Sequence, residues 1–159
     1  MRDFYTEQQL IDAVKAGDED RVRAIASLSP ELIDTEEDGV PVVRLAVYFR
    51  HPRIAQELAD MGARLDIFTA AAMDKADRLA ILLQGARGQI DGWSADGYTP
   101  LALAARFGAL HSARLLLAVG ADPNARDANG HTPLDLAADG GGDAITRLLV
   151  ARGANPSIG

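Results

Sequence analysis

A spacing of 33 residues recurs along this chain and constrains its fold more tightly than any bulk property. Two stretches align without gaps, DGYTPLALAARFGALHSARLLLAVGADPNA from Asp96 and NGHTPLDLAADGGGDAITRLLVARGANPS from Asn129. Gly97 and Gly130 are 33 apart, as are Ala104 and Ala137, Leu115 and Leu148, and Gly120 and Gly153. A further step back from Ala104 reaches Ala71, and Leu82 and Leu83 then match Leu115 and Leu116. Ala13 and Ala46 are also 33 apart, so four successive intervals read 33, 25, 33 and 33. A unit this small cannot bury a hydrophobic face alone, so copies must stack, each forming a wall for the next.

The residues inside one copy say what stacks. Thr99 is placed to cap a helix, and Pro100 takes its first position, where a missing N–H costs nothing. Small Ala104 and Ala105 let neighbouring helices approach closely, and Gly108 stops the helix. A second helix carries Leu110, Ala113, Leu115, Leu116 and Leu117, a stripe too wide to leave in water. Leu115 and Leu148 read as equivalent core positions. Asp127-Ala128-Asn129-Gly130 then supplies turn chemistry, with Asn-Gly favouring positive φ.

A 33-residue period with G-x-T-P-L, a double alanine and a G-A-D-P-N exit resembles the ankyrin repeat. Thr99-Pro100-Leu101 and Thr132-Pro133-Leu134 are two near-consensus copies at the family's spacing. The resemblance covers nearly the whole chain as about five repeats, at roughly 5–37, 38–65, 66–95, 96–128 and 129–159, read as a single domain. It is close in the last two repeats and degenerate in the first three. It implies an all-α solenoid of helix-turn-helix units with short β-hairpin fingers projecting to one side.

The short interval, between Ala46 and Ala71, lacks eight residues. Gly62-Ala63-Arg64-Leu65 runs directly into Asp66, which falls where Thr99 falls and suits a helix cap. One finger, between repeats two and three, is therefore expected to be missing while the helices keep their register. Repeat two has Pro41 in place of the capping threonine, so its first helix loses the hydroxyl. Thr6-Glu7-Gln8-Gln9 reads as a capping box on a terminal repeat. In repeat five Gly141-Gly142 replaces the usual Gly-His, the outer helix from Asp143 to Ala151 reads as short, and the C-terminal end is expected to fray.

Composition excludes several functions. With 48% hydrophobic and 25% charged residues the chain has a soluble globular balance, and no apolar run approaches the ~20 residues of a membrane span. MRDFYTEQQL has no apolar h-region, so no signal peptide is expected. The absence of cysteine removes disulfides, thiolate nucleophiles and Cys-based zinc sites, and together these features point to the cytoplasm. A net charge of -7 argues against nucleic acid. Residues 1–66 carry 8 Lys+Arg against 14 Asp+Glu, and residues 67–159 carry 8 against 9. The acidic half suits a basic partner, although solubility alone is the simpler reading.

No catalytic or metal constellation emerges. His51, His111 and His131 occupy unrelated repeat positions, with no second histidine at i+3 or i+4. Ala138-Asp139-Gly140-Gly141-Gly142-Asp143-Ala144 is glycine-rich, but it joins two helices and lacks a phosphate loop's strand and Lys-Ser/Thr. Asp34, Glu36, Glu37 and Asp38 lack EF-hand spacing and read as a solvated finger tip. No cofactor, metal or catalytic residue is assigned.

The resemblance implies a binding surface built from finger tips and the exposed ends of the first helices. By position the helix ends give Tyr48 and Phe49, Met73 and Asp74, Arg106 and Phe107, and Asp139. The fingers add Glu37, Asp38 and Val40, then Trp93, Asp96 and Tyr98, then Asn129 and His131. Five of the chain's eight aromatics fall in this set, and aromatics and arginine are what binding hot spots use. Binding is the stronger reading for Tyr98 and Arg106. Tyr48 suits binding and packing equally, whereas Phe49, Phe107 and Trp93 read first as packing groups.

The expected function is therefore an adaptor, scaffold or inhibitor that grips a protein partner through the concave face, as a monomer and without nucleic acid or membrane. Alternatives are a small-ligand or enzyme role at the notch near Asp66, and self-association through the C-terminal repeat. The repeat alignment carries its own test. Inserting a consensus eight-residue finger between Leu65 and Asp66 should leave helicity by circular dichroism intact, and an unfolded product would overturn the alignment over residues 62–71.

Overall fold

The computed structural model describes residues 4–138 and 143–155. The chain divides into two compact units, Met1–Leu65 and Asp66–Gly159. The first holds α1 (Glu7–Ala16), α2 (Glu19–Leu28), a 3-10 turn (Pro30–Leu32), strands β1 (Glu36–Glu37) and β2 (Val40–Pro41), α3 (Val42–Tyr48) and α4 (Pro52–Asp60). The second holds α5 (Ile67–Ala72), α6 (Ala76–Gln84), a 3-10 turn (Arg87–Gln89), α7 (Pro100–Arg106), α8 (Leu110–Ala118), α9 (Pro133–Leu136) and α10 (Asp143–Ala151). The fold is all-α with little strand, as the sequence implies.

Helix starts follow the sequence closely. The side chains of Asp66, Thr99 and Thr132, spaced by 33, each accept a hydrogen bond from the backbone N–H three residues on. The first unit begins with the expected capping box, Thr6 and Gln9 bonding reciprocally. At Pro41 no side chain caps α3. Helix α10 spans nine residues, as do α4, α6 and α8, so the outer helix of the last pair is not shortened.

Packing has two layers within each unit. In the second, α7 lies against both α5 and α9, while α8 lies against α6 and α10. Ala71, Ala104 and Ala137 are all buried in one core cluster, and side chains no larger than a methyl set the close approach of the inner helices. The outer layer is closed by Leu83, Leu116 and Leu149, again 33 apart and buried. Leu115 and Leu148, expected to be the core pair, are only partly buried and pack on that cluster from its margin. The register of α8 turns the next leucine inward. In the first unit the same arrangement buries Leu10, Val14, Ile25, Ala46, Ile54 and Leu58, with α3 on α1 and α4 on α2.

The fingers differ among themselves. β1 and β2 pair antiparallel, Glu36 with Pro41 and Glu37 with Val40. Their turn is Asp38-Gly39, both at positive φ (52° and 83°), the geometry that matches strand twist. The later fingers are hydrogen-bonded turns rather than paired strands. Ser94 and Asp127 donate N–H to the carbonyls of Tyr98 and His131, but the return bonds go to side chains: the amides of Tyr98 and His131 donate to Ser94 Oγ and Asp127 Oδ1. A side-chain oxygen has replaced the second rung of a ladder. Between α4 and α5 only residues 61–66 intervene, against 29–41, 85–99 and 119–132 at the other junctions between helix pairs.

This packing predicts graded losses. Leu116→Ala should cost ~2–5 kcal/mol as a buried cavity. Leu149→Ala should cost less, because α10 packs mainly on α8 and α9 whereas α8 packs on α5, α6, α7 and α10, and half-buried Leu115→Ala should also fall below Leu116→Ala. Urea melts of the three variants measure the order, and equal losses would contradict it.

Candidate functional site

Within the second unit, the end of α7 and the finger preceding it form one polar and aromatic cluster. Arg106 is the last residue of α7 and Tyr98 lies two residues before its start. The Arg106 guanidinium stands 5.6 Å from the Tyr98 ring centroid and 5.5 Å from that of Phe107. Its Nη1 donates to Tyr98 Oη at 2.6 Å. All three side chains are half-buried. The backbone explains the arrangement: Thr99 starts the helix, seven residues later Arg106 ends it, and Gly108 in the left-handed region (φ 68°) turns the chain away.

The two fingers of this unit are joined to each other. The Ala128 N–H donates to Gly97 O at 2.9 Å, and Trp93 Nε1 donates to Arg126 O at 2.9 Å. Gly97, at φ 89°, lies so near Ala128 that a Cβ on it would come within 2.6 Å of the Ala128 Cβ. Trp93 nevertheless stays 58% exposed, so its indole N–H fixes the ring without hiding it. Asp127 is 2% exposed, and its Oδ1 accepts the N–H groups of both Asn129 and His131 at 2.9 Å. Asn129 and His131 are therefore presented at the surface by a buried carboxylate, His131 Nδ1 lying 3.5 Å from Asp127 Oδ2.

Other expected site residues have local duties. Asp74 sits at φ 58° and accepts the Ser112 N–H at 2.8 Å, tying the turn after α5 to α8. Asp96 accepts a bond from Ser94 Oγ at 2.6 Å, stiffening its finger. Met73 follows α5 directly and is half-buried. In the first unit Tyr48 ends α3, half-buried, with the buried Arg44 guanidinium 5.9 Å from its ring. Phe49 is 44% exposed beneath Lys15, which also pairs with Glu37. Val40, expected to face a partner, is buried, because as a strand residue of the tight hairpin its side chain turns toward α3 rather than outward. Asp139 and the glycines 140–142 lie outside the described residues, as do residues 156–159 of the expected frayed end.

Arg126 escaped the sequence reading. It lies 33 residues after Trp93, is exposed, and donates from Nη1 to Gly130 O at 2.7 Å. Extending the period from Trp93 would have found it. Among the described residues no group of three His, Asp or Glu side chains is placed to hold a metal ion, and no helix is long and apolar enough to cross a membrane.

Stacked helix pairs linked by hydrogen-bonded fingers define a helical repeat protein. A family model described as ankyrin repeats (3 copies) matches residues 67–159, and the chain belongs to the ankyrin-repeat family. No curated protein matches it. Ankyrin repeats generally serve as protein–protein interaction modules and are typically non-enzymatic.

The buried carboxylate gives a stability prediction. Asp127→Ala leaves two finger amides without their acceptor and should cost ~1–3 kcal/mol, whereas Asn129→Ala at the exposed tip should stay within about 0.5 kcal/mol. Thermal melts of the two variants test this, and equal stabilities would show that water replaces the carboxylate.

Proposed function

We propose that the protein is a binding module, an adaptor, scaffold or inhibitor, whose partner is a protein docked on the fingers and inner-helix ends. The observation that supports it most is the Tyr98–Arg106–Phe107 cluster. Two aromatics and an arginine, half-buried and mutually fixed, are the side chains that concentrate binding energy at interface centres. Exposed Trp93 lies on the same finger as Tyr98, and exposed Asn129 and His131 lie on the next. Met73, Asp74 and Asp96 belong to the same reading by repeat position, although Asp74 and Asp96 act first on their own turns, and Tyr48 holds the equivalent repeat position within the first unit. We extend the repeat assignment to the helix pairs α1/α2 and α3/α4, giving five repeats in all.

The test compares two double variants of the tagged protein in co-purification from its native cell extract. Tyr98→Ala with Arg106→Ala should abolish recovery of the partner while circular dichroism shows the chain still folded. Arg114→Ala with Arg147→Ala removes exposed charges from the outer helices α8 and α10 and should leave recovery intact. Loss of the partner from the outer-helix variant alone would place the site on the other side of the repeats.

A further inference from the structure

The chemistry of the Arg106 cluster is narrower than that of an aromatic patch. We propose that Arg106 is the anchor for a carboxylate side chain, Asp or Glu, of the partner, which must therefore offer an acidic segment to this face. The inference rests on the reading that this face binds a protein and names what that protein presents.

A guanidinium carries five N–H donors in a rigid fork. On Arg106 one nitrogen donates to Tyr98 Oη, and the group lies within 5.6 Å of the Tyr98 ring centroid and 5.5 Å of that of Phe107. Among the described residues no carboxylate pairs with it. Other acidic groups of this unit bond to backbone amides: Asp74 accepts the Ser112 N–H, Asp127 Oδ1 two finger amides, and Asp135 the Thr132 N–H. The donors left over are met by water until a partner arrives. A partner that covers them with apolar surface leaves buried donors unmet, which is strongly unfavourable. A carboxylate meets two at once, in parallel bonds that match the fork. Because the rings and Tyr98 Oη already fix the side chain, little conformational freedom remains to be lost on binding.

The surrounding charge selects the acceptor. Residues 67–159 carry 8 Lys+Arg against 9 Asp+Glu, so this part of the chain is close to neutral. A phosphate would call for a cluster of cations. Arg126, on the next finger, already donates to Gly130 O. One fixed arginine in a nearly neutral unit suits a monoanion.

The probe is a displayed library of random peptides selected on the full chain, followed by synthesis of the best binder. Selected peptides should share Asp or Glu at one position. Changing that residue to its amide should weaken binding by about tenfold or more in calorimetry, the scale of a lost bidentate pair. Arg106→Gln should lose the same factor on the acidic peptide and nothing on the amide, whereas Arg106→Lys, charged but without the fork, should recover part of it. Tyr98→Phe keeps the ring and removes the oxygen that orients Arg106, and it should cost less than Arg106→Gln. Peptides that need Tyr98 and Phe107 yet show no acidic preference would overturn the anchor and leave the binding face standing. Binders indifferent to Tyr98→Ala and Arg106→Ala would overturn both, and a library that yields no binder would overturn the anchor. Tighter binding of a phosphoserine version of the acidic peptide would reassign Arg106 to phosphate.

Discussion

The inner helices are too short to exist alone. α5 has six residues and α7 seven, far below the ~12–15 at which even a favourable isolated helix becomes marginal in water. Each survives only because its neighbours cover it, and coverage at that length demands close approach. Ala71, Ala104 and Ala137 make the approach possible. A larger side chain in that column would force the inner helices apart and uncover Leu83, Leu116 and Leu149 beneath the outer layer. Caps matter for the same reason: in a helix of two turns, one satisfied amide at Asp66, Thr99 or Thr132 is a large share of all the hydrogen bonds there are.

Stacking is then carried through the loops by a second repeated device. Asp34 Oδ1 accepts the Arg64 N–H at 2.8 Å, Asp91 Oδ1 the Asp122 N–H at 3.0 Å, and Asn124 Oδ1 the Asn155 N–H at 2.7 Å. In each case a side chain in one loop satisfies a backbone amide in a loop about one repeat later. Each later loop thus has an amide satisfied by the loop before it, in addition to the bonds the loops make internally, which keeps irregular backbone ordered without burying it. The finger contacts, Ala128 N–H to Gly97 O and Trp93 Nε1 to Arg126 O, extend the same logic to the tips.

What could be read in advance follows from where the information is stored. Caps, helix starts and the alanine column depend on one residue at one spacing, so a 33-residue period exposes them. The core leucine was harder. Leu115, Leu116 and Leu117 are consecutive, and a run of like residues does not say which one faces inward until the helix start at Leu110 fixes the rotation. Leu116 is the buried one. The finger conformations were half legible: Asp38-Gly39 forms the two-residue turn its sequence favours, while Asn129-Gly130 puts only the glycine at positive φ. There Asp127 Oδ1 takes the amides of Asn129 and His131, and that choice is not visible in the dipeptide. Asp74 looked like a surface group because nothing local reveals its tertiary partner, the Ser112 N–H 38 residues away. Tyr98 and Arg106 were both named, but their bond was not, since Tyr98 precedes the helix and no helical spacing relates the two.

That bond ties the architecture to the surface it displays. Tyr98 rides on a finger and Arg106 closes an inner helix, so the 2.6 Å contact fixes one against the other. A finger held only by its turn would pivot about its base. This one is clamped at three levels: by Ser94 and Gly97 within the turn, by Ala128 of the next finger, and by Arg106 of its own helix. The clamps use backbone groups, the Ser94 and Tyr98 hydroxyls and one guanidinium edge, and they leave the Trp93 ring and the tip residues Asn129 and His131 facing solvent. A surface made rigid from behind loses little freedom when it is covered. The same repeat that cannot fold without its neighbours therefore gains from them the preorganisation that binding requires.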